Sequence, residues 1–124
     1  MALVLIVDDS PTQTHALRTA LERNGFDIVT ASNGQEGVRL AGELKPDLIL
    51  MDVIMPRLNG FQATRELSRS KETSSIPIVM VTTKNEESDR VWGLRQGAVG
   101  YLVKPVAEEE LITTARAALE RRSA

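Results

Sequence analysis

The 124 residues include no cysteine, which excludes disulfides, thiolate zinc sites and cysteine nucleophiles together and fits a reducing compartment. Aromatic residues are scarce, 3% of the chain, so any core must be aliphatic. No excess of one charge exists: 15 basic and 17 acidic residues, mixed along the chain, give a net charge of -2 and no basic field for nucleic acid or an anionic membrane. Long hydrophobic runs are missing too. The opening segment, MALVLIVDDS, has no basic leader and meets two aspartates where a signal peptide or spanning helix would continue. It reads as the first strand of a cytoplasmic protein without membrane insertion.

What is present is an alternation of two periodicities. Short apolar runs at Leu3 to Val7, Asp27 to Thr30, Asp47 to Met51, Ile76 to Val81 and Tyr101 to Val103 are separated by longer segments with helical spacing. Ser10, Pro11 and Gln13 start a first helix with a capping box, and Leu17 and Leu21 are its inner stripe before Asn24-Gly25. Asn33 and Glu36 repeat that logic for a second helix carrying Val38, Ala41 and Leu44 inward and stopping before Pro46. A third helix starts near Gly60 and turns Phe61, Thr64 and Leu67 to the core. A fourth runs from about Glu86 to Gln96, closed by Gly97, and packs Trp92 partly against Val91 and neighbouring helices. The last has Glu108, Glu109 and Glu110 in its first turn and Arg121 and Arg122 in its last, matching the helix dipole at both ends.

Strands alternating with helices require crossovers, and crossovers give a parallel sheet covered on both faces. The first, third and fourth runs are apolar throughout and belong in the centre; the second and fifth belong at the edges. The expected fold is α/β, a doubly wound five-stranded parallel sheet of order 2-1-3-4-5 with five helices, flavodoxin-like, in one domain over residues 1–124.

In such a sheet, whatever follows each apolar run lies on one rim, where ligands bind. The first run ends in Asp8-Asp9, the third in Asp52, the fourth in Thr82-Thr83-Lys84 and the fifth in Lys104-Pro105. Crowded carboxylates repel unless a cation sits among them, and Mg2+ suits oxygen ligands of this kind. Asp9 and Asp52 are candidate direct ligands, the backbone carbonyl of Ile54 a further one, and Asp8 acts through water. The free carboxylate oxygen of Asp52, flanked by Lys104, is then a nucleophile for a phosphoryl group to which Thr82 donates its hydroxyl.

The set Asp8-Asp9, Asp52, Thr82 and Lys104-Pro105, spread over almost the whole chain, resembles the receiver domain of two-component response regulators of the CheY type. That resemblance implies that Asp52 accepts phosphate from a histidine kinase, that Mg2+ is required, and that the Lys104-Pro105 peptide is cis. It also implies that Thr82 and Tyr101 form a switch, and that Ile54 and Lys84 border the path of the hydrolytic water and tune the phosphoryl lifetime. Its output face is the fourth helix, fifth strand and fifth helix. The stretches DVIMPRLNGFQATREL and VTTKNEESDRVWGLRQGAVGYLVKPV resemble single-domain PilH-type receivers, which act with a CheA-like kinase in type IV pilus twitching motility. The chain ends one helix after Lys104, so the expectation is a stand-alone, monomeric regulator with no output domain, signalling by docking. Beyond self-phosphotransfer and autodephosphorylation it is not an enzyme; the alternatives are a phosphorylation-independent binding module or a phosphate sink for a second regulator.

Taken singly, these features have plainer readings. Asp8-Asp9 can cap a helix, Thr82 is an ordinary strand residue, Lys104-Pro105 can be a turn, and Tyr101 an edge-strand aromatic. His15 falls about half a turn from Leu17, as a solvated surface histidine would. A phosphohydrolase with an aspartyl intermediate needs a second acid one residue beyond its nucleophile on the first strand, whereas Asp8 and Asp9 are adjacent. Dinucleotide binding is disfavoured because DDSPTQ stands where a glycine-rich turn is needed.

Overall fold

In the computed structural model of the chain, which describes residues 2–123, the sheet order is β2-β1-β3-β4-β5 and every neighbouring pair is parallel. The elements are β1 (Leu3–Val7), α1 (Pro11–Arg23), β2 (Asp27–Ala31), α2 (Gly34–Leu44), β3 (Leu48–Met51), α3 (Gly60–Arg69), β4 (Ile78–Thr82), α4 (Glu87–Gln96), β5 (Gly100–Val103) and α5 (Glu108–Ser123).

The central strands are buried on both faces, which is why they read as continuous rather than alternating apolar runs. Val4, Ile6, Leu48, Leu50, Val79 and Val81 point to the layer containing Leu17, Leu21, Leu111 and Ala115 of α1 and α5. Leu5, Val7, Ile49, Met51, Ile78 and Met80 point to the other, where Ala41, Ala63 and Leu67 lie. Gly37 lets α2 approach closely: a Cβ there would stand 2.8 Å from a Val7 methyl.

The helix ends refine the sequence reading. Ser10 accepts from the Gln13 amide, but the reciprocal half of the expected capping box is not formed in α1. In α2 Asn33 accepts from the Glu36 amide, while Glu36 reaches one residue further back than expected, to the amide of Ser32. Leu44 is exposed rather than inward, because the helix ends there and Lys45 turns the chain with a left-handed φ of 48°. A full reciprocal box is formed at α3, where Asn59 and Gln62 each accept the other's amide at 2.9 Å. In α4 the only buried residue is Gly93. Val91, Trp92 and Leu94 are 40%, 48% and 42% exposed, so Trp92 is about half covered and the three present an outward apolar surface. In α5 the side chain of Arg122 lies outside the described residues.

Candidate functional site

Three sheet-like backbone bonds continue past the strand ends and fix the rim. The Asp8 amide donates to Ala31, the Asp52 amide to Val7 and the Lys104 amide to Thr82, at 3.1, 2.9 and 2.8 Å. Each residue is therefore tied through its backbone to the end of a neighbouring strand. Asp8, Asp9 and Asp52 offer carboxylate oxygens that all lie within 4.8 Å of one another, with Asp8 and Asp52 buried and Asp9 exposed. Lys104 reaches in from the other side: Nζ is 2.7 Å from Asp8 Oδ2 and 3.4 Å from Asp52 Oδ2. The second oxygen of Asp8 accepts from the Ser10 amide at 2.9 Å, so both oxygens of Asp8 are already engaged.

Three carboxylates thus face one ammonium group. At about 5 Å and an effective dielectric of about 20, the buried charges of Asp8 and Asp52 repel by roughly 3 kcal/mol, while exposed Asp9 is screened by solvent; one lysine does not offset the set. Burial pushes the Asp52 carboxyl above the ordinary carboxylate range; Lys104 opposes this, the neighbouring Asp8 charge adds to it, and the Ile54 amide and Thr82 hydroxyl oppose it. A hard divalent cation fits this donor set, since the oxygens are close, anionic and under-neutralised. The Ile54 amide lies 3.3 Å from Asp52 Oδ1 while its side chain is exposed.

The loop after Asp52 is held by two glycines: Gly60, which the sequence marks only as the start of a helix, and Gly34, which it does not mark. A Cβ at Gly60 would stand 2.0 Å from the carbonyl oxygen of Asp52, and one at Gly34 would stand 2.4 Å from that of Leu58. The Gly60 amide also donates to the Val53 carbonyl at 3.0 Å. The start of α3 can press against the Asp52 backbone only because Gly60 has no side chain. The signal available in the sequence was Asn59, Gly60 and Gln62 at capping-box spacing.

The other expected residues fall as follows. Thr82 is fully buried at the end of β4, and its hydroxyl accepts from the Lys84 amide at 3.3 Å. Tyr101 is half-buried; its hydroxyl donates to the Lys84 carbonyl at 2.9 Å, and its ring lies where a Cβ on Gly93 would touch it at 3.3 Å. Burial, then the charges of Asp89 and Asp52, push its phenol up to about 12. The Lys84 ammonium lies 3.5 Å from Asp89 Oδ1. The Lys104-Pro105 peptide is cis. His15 is exposed, lining with Asp9 and Arg18 a surface cavity of about 440 Å³ beside the acidic site.

The acidic rim, the buried hydroxyl and the single lysine coincide with a match to the response regulator receiver domain over residues 4–116. The chain belongs to the response regulator receiver family. Among curated relatives, the receiver is 56% identical to protein PilH of Pseudomonas aeruginosa over 96% of this chain and 98% of that one. It is also 41% identical to the alkaline phosphatase synthesis transcriptional regulatory protein PhoP of Bacillus subtilis, covering 95% of this chain but 48% of the relative; the receiver spans about half of that longer regulator. Among solved structures, chemotaxis protein CheY4 of Vibrio cholerae superposes with a TM-score of 0.89 at 33% identity, covering 95% and 98% of the two chains. The response regulator domain of Thermotoga maritima CheB gives 0.88 at 32% identity, covering 97% of each. Among the described residues, no helix of this receiver is long and apolar enough to cross a membrane.

Proposed function

We propose that this receiver accepts a phosphoryl group on Asp52 from a CheA-like histidine kinase, as a stand-alone regulator over residues 1–124, and signals by docking to another protein. The observation that carries this reading is the placement of the Asp52 carboxylate, at the end of a buried strand, within reach of both Lys104 and the other two acids. A carboxylate oxygen of Asp52 attacks phosphorus, the O–P bond forms as the N–P bond of the phosphohistidine breaks, and the imidazole leaves with the bonding pair. Lys104 stabilises the equatorial phosphoryl oxygens and the Thr82 hydroxyl donates to one of them.

Asp9, Asp52 and the Ile54 carbonyl would hold Mg2+, with Asp8 acting through water; the ion supplies charge neutralisation at the phosphoryl oxygens. The double engagement of Asp8 by Ser10 and Lys104 supports its indirect role. Thr82 and Tyr101 form the switch, joined through the backbone of Lys84. Ile54 and Lys84 border the water path and set the lifetime of the adduct.

The output face is α4, β5 and α5, a reading supported by the exposed Val91, Trp92, Leu94 and Val103. The protein works in the cytoplasm in type IV pilus twitching motility, a setting supported by its 56% identity to PilH. It is a monomer at rest, and self-association, where it occurs, follows phosphorylation. The test is intact mass after incubation with acetyl phosphate and Mg2+. Wild type gains one labile phosphoryl group and Asp52→Asn gains none; absence of an adduct on wild type overturns the reading.

A further inference from the structure

Every polar group of Lys84 is committed to a different part of the switch. Its amide donates to the Thr82 hydroxyl at 3.3 Å, its carbonyl accepts from Tyr101 at 2.9 Å, and its ammonium pairs with Asp89 at 3.5 Å. Asp89 belongs to the first turn of α4, where its other oxygen accepts from the Glu86 amide at 3.3 Å. The Thr82 hydroxyl lies close enough to Asp52 to stabilise its charge. Through that hydroxyl the Lys84 backbone is linked to the phosphoacceptor.

Two anions compete for this ammonium once Asp52 is phosphorylated. An aspartate carries one negative charge, while a phosphoryl group carries about 1.5 to 2, so the acidic site becomes more negative on modification whatever cation it holds. The Lys84–Asp89 pair is only partly shielded, with side chains 38% and 17% exposed, and partly exposed ion pairs are weak enough to exchange.

We propose that Lys84 is a charge shuttle: its ammonium, held by Asp89 in the resting protein, transfers to the phosphoryl group on Asp52, so Asp89 sets how long the phosphoryl group lasts. This rests on the phosphoacceptor reading and adds a residue to it. Hydrolysis needs a water to attack phosphorus as the bond to the Asp52 oxygen breaks, releasing inorganic phosphate and restoring the carboxylate. An ammonium over the phosphoryl oxygens obstructs that water, and Asp89 opposes the obstruction by recapturing Lys84. The same transfer frees the first turn of α4, three residues before Trp92 on the output face.

The test is a double-mutant cycle on the half-life of the adduct, formed with acetyl phosphate and Mg2+ and followed by intact mass. Asp89→Asn keeps an acceptor for the Glu86 amide and removes only the charge; it should lengthen the half-life by up to about fivefold, the ceiling set by a partly exposed ion pair. Lys84→Gln should shorten it, and adding Asp89→Asn to Lys84→Gln should change nothing further. An Asp89→Asn effect that persists without Lys84, or no effect while wild type still forms its adduct, overturns the shuttle alone. Failure of wild type to form any adduct overturns the phosphoacceptor reading itself.

Discussion

Lys104 and Asp8, 96 positions apart in sequence, are joined by a 2.7 Å bond between ammonium and carboxylate, with both side chains almost wholly buried. Removing one partner of such a pair leaves the other charge buried and unpaired. Lys104→Met should lower stability by about 3 kcal/mol, read from urea unfolding, with Mg2+ narrowing the difference. Equal stability of the two proteins without Mg2+ would show that the carboxylates are solvated.

Asp52→Asn should act in the opposite sense. Because burial holds the folded-state carboxyl above its ordinary range, the wild type is penalised once Asp52 must ionise inside the fold. That penalty is absent below the unfolded pKa and grows as pH rises through the folded one. The asparagine variant should therefore unfold at higher urea than wild type at neutral pH, with the gap closing on acidification.

Exposed Asp9 distinguishes metal binding from folding. Asp9→Asn should change stability without metal by less than about 0.5 kcal/mol. Saturating Mg2+ should stabilise the wild type, by about 2.7 kcal/mol at a hundred times its Kd, and this gain should shrink or vanish in the variant. Thermal unfolding with Mg2+ and with a chelator measures both effects.

Gly60→Ala should cost roughly 2 kcal/mol or more, since its methyl would lie 2.0 Å from the Asp52 carbonyl oxygen and the contact is backbone against backbone. The adduct yield at Asp52 should fall with it, because moving α3 moves the nucleophile. An unchanged yield would mean that the loop relaxes independently of Asp52.

Tyr101→Phe should cost about 1 kcal/mol by leaving the Lys84 carbonyl without its phenol donor. The phenol, pushed up to about 12, favours the neutral form in the folded state, so its contribution holds below the ordinary tyrosine pKa and is lost as pH rises toward 12. Ultraviolet titration should show a midpoint near 12 that falls in Asp89→Asn, where one of the raising charges is gone.

The order of elements and the sheet topology were legible because double burial leaves a plain mark: Leu5, Ile49 and Met80 had to be apolar for one face, and Ile6, Leu50 and Val79 for the other. The acidic rim was legible for a related reason, since strands running the same way bring whatever follows them together. Helix α4 was less so. Apolar spacing says that Val91, Trp92 and Leu94 are helical, but nothing local says that the helix touches the sheet mainly at Gly93 and leaves them outside.

By itself the sequence determined the alternation of strands and helices, the strand order, and which acids and lysine share a rim, because these follow from periodicity and parallel connection, which are properties of neighbours along the chain. Tertiary structure alone decided that Lys104 engages Asp8 more closely than Asp52, that Gly60 makes room for the Asp52 backbone, and that Lys84 turns to Asp89. Those outcomes depend on distances of a few ångströms between residues on different elements, and no local pattern encodes them.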